Sequence, residues 1–269
     1  MIDGMLVVDV HNHVTEAKMA NSASFFDTLG QTPSQLMSRM DNNGIDIAVI
    51  FPVNSGMLAH EDFVPRNNFI IDTVQQVPDR FVGFCTVTPL HGKSALDEVR
   101  RCVERGLKGI KLHPRKHGGY PLNHEMLDPL MTLARELDIP LLTHTDTNDI
   151  QCTPYQARIL ALRHPEVTLF VAHYGMDGNA IHWVPEVVKD APNIVLDCSA
   201  TPDMPYYVFN LPCKIIGAER VVFASDSPDL SPEVNLTKLQ VAEELYGLSK
   251  ADKKKILGEN AARILKLKL

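Results

Sequence analysis

His11 and His13 stand two residues apart at the end of an apolar run, and that spacing is the first sign of chemistry in the chain. Alternate side chains of a strand face the same side, so both rings can close on one ion. Imidazole suits Zn2+, Mn2+, Fe2+ and similar borderline cations. A His-x-His pair alone is equally an ordinary pair of polar residues at a strand end. Three further residues of ligand type close later apolar runs: His144 after IPLLT, His173 after VTLFVA and Asp226 after RVVFAS. A hydrogen-bonding strand cap explains one such residue, but it explains five poorly. Three imidazoles and a carboxylate leave room for a water or a substrate, as catalytic metal sites do.

Such a constellation needs a scaffold that brings strand ends together. Eight short β-rich runs are spaced along the chain: 5–10, 45–51, 81–87, 107–112, 139–144, 167–173, 193–198 and 220–225. Helical patterns lie between them. Thr32-Pro33-Ser34 opens one and Asn42-Asn43-Gly44 closes it, with proline suited to a first helical turn. A second runs from Ser94 to Gly106, acidic early and basic late. Others fall at 123–137, 153–163, 179–190, 204–217, 233–246 and 249–267. Near-continuous apolar strands followed by helices fit a closed parallel (β/α)8 TIM barrel, with strands buried on both faces. The length of 269 residues suits one barrel, which takes ~250. The five candidate residues then share the C-terminal rim, where barrel enzymes build their sites. An open doubly wound sheet commonly carries a glycine-rich phosphate turn, which this sequence lacks. No Pro/Ser/Gly-rich linker divides the chain, so residues 1–269 read as one domain.

Composition narrows the partners. The net charge of −7 offers no basic stripe for nucleic acid and no polybasic patch for anionic lipid. Lys253, Lys254 and Lys255 read as a solvated helix face. The start MIDGMLVVDVHNH has no basic segment before a long apolar run, and no uninterrupted apolar stretch approaches the ~18 residues of a membrane span. Five widely spaced cysteines without a CxxC pair read as reduced thiols. The expectation is a cytoplasmic enzyme acting on a small molecule, with homo-oligomerisation left open.

Taken in order, VVDVHNH, QQVPDRFVGFCTVTP, GLKGIKLHP, IPLLTHTD, HPEVTLFVAHYG, NIVLDCSA, GAERVVFASDSP and ILGENAARIL resemble the amidohydrolase superfamily. The likeness is to its amidohydrolase-related group, which includes non-oxidative decarboxylases such as aminocarboxymuconate semialdehyde decarboxylase, and it runs nearly end to end. The resemblance implies one divalent ion held by His11, His13, His144 and Asp226. Zinc is the expected ion, with manganese and iron as alternatives. It implies that His173 serves as an acid/base rather than as a ligand. Asp9, which shares the parity of His11 and His13, becomes a supporting carboxylate. Lys111 in GIKLHP stands where binuclear members carry a carboxylated lysine bridging two metals. An ion pair or a contact to a substrate carboxylate are its other readings. His113 shares the parity of Lys111 and is a candidate for the substrate or a second metal. Arg115 and His117 read as a solvated loop.

Two chemistries fit that site. A metal lowers the pKa of a bound water towards ~7 for hydrolysis of a C–N or C–O bond, with Asp226 and His173 moving protons. The same site also suits loss of CO2 from a small aromatic or unsaturated acid. Trp183, Tyr120, Tyr155 and Tyr174 are the aromatics that could line a pocket or pack the outer ring. With 6% aromatic residues and no large inserted loops, hydrolysis is the first expectation. Ser225 and Ser227 flank Asp226, but no GxSxG nucleophile elbow occurs.

Overall fold

Runs rich in Val, Ile, Leu and Phe become parallel strands. The computed structural model describes residues 1–16, 30–53, 59–201 and 205–268. In it β1 (Val8–Val14) pairs with β2 (Ile47–Pro52), and β2 with β3 (Phe81–Gly83). A second run pairs in chain order: β4 (Cys85–Thr86), β5 (Ile110–Leu112), β6 (Leu141–Thr143), β7 (Leu169–Val171), β8 (Ile194–Asp197) and β9 (Val221–Val222). Every pairing is parallel. β3 and β4 are halves of one extended stretch that part at Phe84. There the Phe84 N–H donates back to the Ile50 carbonyl at 2.9 Å, and the Cys85 N–H donates forward to the Gly109 carbonyl at 2.9 Å. The eight expected strands are therefore present, the third of them divided.

The ring closes through backbone hydrogen bonds from both edges. Val10 N–H donates to the Phe223 carbonyl at 3.2 Å, Asp226 N–H to the His11 carbonyl at 3.0 Å, and His13 N–H to the Ser227 carbonyl at 2.8 Å. The architecture is the expected (β/α)8 barrel, with β1 and β8 buried along their whole length.

The helices are α1 (Pro33–Asn43), α2 (His60–Gln76), α3 (Lys93–Glu104), α4 (Asp128–Leu137), α5 (Pro154–Arg163), α6 (Val184–Val188), α7 (Asn210–Ile216), α8 (Pro232–Tyr246), α9 (Lys250–Lys254) and α10 (Asn260–Ile264). Local signals set several ends. Thr32 and Gln35 form a capping box before α1, and Gly44 stops it in the left-handed region at φ 65°. Thr153 and Gln156 repeat the box before α5. The sequence reading missed α2 altogether. That helix carries Pro65 inside it and buries Asn67 and Thr73 among its apolar residues, which breaks the apolar stripe. Asn67 is buried because its amide pairs with the Thr86 backbone, donating at 3.0 Å and accepting at 2.9 Å.

The segment expected as one helix over 249–267 is α9, a π-turn (Lys255–Glu259) and α10. The turn frees the Ile256 carbonyl to accept from Phe223 N–H at 2.9 Å. A Cβ on Gly258 would stand 2.4 Å from the Leu6 carbonyl oxygen, so only glycine permits that approach. The expected solvated lysine face is corrected in part, because Lys253 is buried and pairs with Glu243 at 2.6 Å. The expected 204–217 helix begins partly outside the described residues and is otherwise a short turn followed by α7. The five cysteines are free thiols. No helix among the described residues is long and apolar enough to cross a membrane.

Candidate metal centre

β1 delivers His11 and His13 into the barrel mouth, and the outer nitrogen of each ring is occupied. His13 Nδ1 donates to the Pro52 carbonyl at 3.2 Å. His11 Nδ1 donates to Asp197 Oδ2 at 2.7 Å. With those protons on Nδ1, both Nε2 lone pairs turn inward. Burial, and then the neighbouring Lys111, hold the His11 pKa well below the usual imidazole value, so this ring is neutral.

Asp226 follows β9 and sits at φ 66°, a left-handed conformation that a non-glycine residue adopts at a cost of ~1–3 kcal/mol. Its backbone bond to His11 fixes it there. One oxygen, Oδ1, lies 3.2 Å from His11 Nε2 and 3.3 Å from His13 Nε2. The other, Oδ2, lies 4.0 Å from His173 Nδ1. The ligand atoms of His11, His13 and Asp226 all fall within 4.8 Å of one another. Two inward imidazole nitrogens and one buried carboxylate oxygen on a common point form a donor set that suits a borderline divalent cation.

The other expected residues are placed as follows. Lys111 on β5 is buried, with Nζ 3.0 Å from His11 Nε2 and 4.7 Å from the Phe51 ring centre. Burial pushes its amine down to about 7. His144 follows β6 beside the cluster rather than within it. Its ring stacks on His113 at 4.0 Å and lies 5.0 Å from the ring of His173. His173 follows β7 at φ 67°, with Nδ1 2.9 Å from Ser199 Oγ. Burial lowers its pKa to about 3. Asp9 accepts from the Ser225 N–H at 2.9 Å and from the Ser225 hydroxyl at 2.6 Å, tying β1 to the segment that carries Asp226. Ser225 is thereby engaged as a strut, not as a nucleophile.

Around β4, β5 and β6 the picture differs. His113 Nδ1 accepts from Lys116 N–H at 3.4 Å, which leaves the ring proton on Nε2. His117, expected in a solvated loop, is fully buried edge-on to Phe63 at 5.3 Å, whereas Arg115 is exposed. Neither His117 ring nitrogen, nor Thr86 Oγ1, has a hydrogen-bond partner among the described residues. Tyr120 and Tyr174 are buried in the core, while Tyr155 and Trp183 are exposed. A cavity of ≈ 260 Å³ opens nearby, between the ends of β1 and β2 and α2, lined by Val14, Pro52, Val53, Pro65, Arg66 and Phe69 among others.

Sequence reasoning missed Asp197 and Ser199. They stand two apart where β8 ends, the same spacing that drew attention to His11 and His13. NIVLDC reads from the sequence as a strand run alone, since Asp and Ser there carry no histidine signature.

Solved structures share this architecture. A 5-carboxyvanillate decarboxylase from Novosphingobium aromaticivorans, with manganese and a nitrobenzoic acid, has a TM-score of 0.77 at 19% identity, covering 98% of this chain and 97% of that one. A dihydroxybenzoic acid decarboxylase from Polaromonas, with manganese and 2-nitroresorcinol, has a TM-score of 0.76 at 19% identity, covering 98% and 97%. A probable 2-pyrone-4,6-dicarboxylic acid hydrolase from Acinetobacter baumannii, with citric acid, has a TM-score of 0.73 at 15% identity, covering 98% and 100%. At these identities the likeness speaks for the fold. The amidohydrolase family model matches residues 8–267. A match of that extent, over a barrel whose rim gathers two histidines and an aspartate, makes the chain a member of the amidohydrolase family and a metal-dependent enzyme of its superfamily.

Proposed function

We propose that the protein is a metal-dependent hydrolase that cleaves a C–N or C–O bond (amide, lactone or ester) of a small organic acid. The observation that carries this reading is the division of labour in Asp226, with Oδ1 between two imidazole nitrogens and Oδ2 towards His173. In this reading His11, His13, His144 and Asp226 hold one divalent ion, zinc first, with manganese or iron as alternatives. When bound, that ion supplies Lewis acidity, which lowers the pKa of a water towards ~7 and polarises a carbonyl. Asp226 Oδ2 takes the proton from the attacking water and passes it on to the leaving group, while the nearby neutral His173 holds the carbonyl oxygen through its N–H and helps that transfer. His113 Nε2–H and the Lys111 amine, both on the β5 side, orient the acid group of the substrate. Residues 1–269 are taken as one catalytic domain.

The decarboxylases of similar fold favour a second reading, loss of CO2 from an aromatic or unsaturated acid at the same centre. The purified protein distinguishes the two. Metal analysis comes first: about one equivalent is expected, and two would restore Lys111 as a bridge between metals. Lactones, amides and aromatic carboxylates are then screened with CO2 release followed in parallel. CO2 release without hydrolysis overturns the proposal in favour of decarboxylation.

A further inference from the structure

We infer that the cavity between the ends of β1 and β2 and helix α2 is a specificity subsite, which takes an uncharged apolar arm of the substrate and turns away a second carboxylate. This deepens the proposed function and rests on its placing of the substrate's acid group on the β5 side.

The cavity is continuous with the candidate metal centre. His13 and Phe51 are partners in the register of β1 and β2, and the Phe51 ring stands edge-on to His13 at 4.7 Å. Thr15 and Val53 lie two residues further along the same two segments, at the next inward positions of those rows, and both line the cavity. Pro52 lines it too, and its carbonyl accepts from His13 Nδ1 at 3.2 Å. The space therefore begins where the centre ends and runs outward to Pro65 and Phe69 of α2. A substrate whose acid group is held at Lys111 and His113, with its reacting bond at the centre, has its remaining arm free to enter here.

Size and charge decide what that arm can be. At ≈ 260 Å³ the cavity exceeds the ~150 Å³ that suffices for a benzene ring in an apolar protein interior. Val53, Pro65 and Phe69 give it an apolar wall from which a ring or a branched chain displaces water. Among the described residues that line it, three carboxylates (Glu16, Glu61 and Asp62) stand against one cation, Arg66. The guanidinium is already engaged, since it donates to the Val53 carbonyl at 2.9 Å and Asp62 acts on its charge. The lining is thus net negative. An uncharged arm gains by burial there, whereas a second carboxylate meets like charges.

Three acids test this by calorimetry on the purified protein with zinc present: acetate, phenylacetate and 1,4-phenylenediacetate. Phenylacetate is expected to bind ~10–100-fold more tightly than acetate, the gain from burying one ring. The second carboxylate of the diacid is expected to take back ~10-fold, and less at high salt. Val53→Trp, which fills the cavity, is expected to erase the advantage of phenylacetate with acetate binding unchanged. Glu61→Gln, on the exposed rim, is expected to raise diacid affinity ~3-fold with phenylacetate unchanged. Phenylacetate binding no tighter than acetate, or a diacid as tight as phenylacetate in the wild type, overturns the inference. Should Val53→Trp fail to fold, the wild-type series and Glu61→Gln decide. A protein that ranks the three acids in this way but hydrolyses nothing overturns the proposed reaction and leaves the subsite standing.

Discussion

The two sides of the barrel mouth are built on opposite principles. On the side of β1, β8 and β9, the polar groups at the centre are paired within the protein. His11 and His13 spend their Nδ1 protons on Asp197 and Pro52, and Asp9 ties β1 to Ser225. Across the mouth, near β4, β5 and β6, polar side chains are buried with their hydrogen-bonding capacity unused, as in His117 and Thr86. A buried polar group without a partner costs ~1–3 kcal/mol, whereas a satisfied network fixes geometry. The paired side is rigid enough to hold an ion. The other side carries that cost at His117 and Thr86.

The largest effect expected from breaking this contrast is at Asp226. Asp226→Ala should weaken metal binding by more than the ~10–100-fold typical of residues that stand behind ligands, and abolish turnover. Equilibrium dialysis and metal analysis measure it, and a variant that retains a full equivalent removes Asp226 from the ligand set. Next comes His113→Phe, which keeps a flat ring against His144 and loses Nε2–H. It should raise KM ~10-fold, about 1.4 kcal/mol, while metal content stays at the wild-type level. An unchanged KM would remove His113 from the substrate side.

A smaller and more diagnostic effect is expected at His117. If its unpaired nitrogens serve no structural purpose, His117→Phe should leave stability to urea unchanged or raise it by up to about 1 kcal/mol. Ser225→Ala, on the paired side, should lower it by ~1–3 kcal/mol. Equal losses in the two variants would erase the contrast.

The smallest effect concerns what supports the unpaired side from behind. Glu98 on α3 accepts from Asn67 at 2.9 Å, and Asn67 in turn holds the Thr86 backbone. Burial raises the Glu98 carboxyl, but hydrogen bonds from Arg101 and Asn67 and the charge of Arg101 hold it below its ordinary value. A depressed pKa gives stability that is present above the unfolded value of ~4.3 and is lost as pH falls through the lower folded one. Glu98→Gln should therefore cost about 1 kcal/mol near pH 7 and less near pH 3, read from urea midpoints.

How much of this was legible in the sequence followed from how local each signal is. Strand ends and helix caps are local, so the runs ending at His11, His144 and His173, and the Thr32 and Gly44 boundaries, could be read directly. α2 could not, because Asn67 is buried for a tertiary partner, the Thr86 backbone, that no periodicity contains. His117 looked like loop polarity, and its burial against Phe63 depends on that same unforeseen helix. Ser199 was hidden because a serine carries no ligand signature. Its importance comes from standing between two rings supplied by β1 and β7. Lys253 shows the converse, since one lysine of an apparent solvated trio turns inward on a helical period to meet Glu243.

The hydrogen bonds that close the barrel have a consequence for how the protein is made. Asp226 and Ser227 pair with the backbone of His11 and His13, so the same hydrogen bonds that close the ring bring the candidate ligands together. A ribosome releases the two histidines first and the aspartate only after nearly all the intervening barrel. Until then the exposed pair is at most a weak chelator of passing ions. With the proposed ligand set, firm metal uptake is expected to wait for the end of synthesis, and a chain cut short before Asp226 would lack the carboxylate of the cluster.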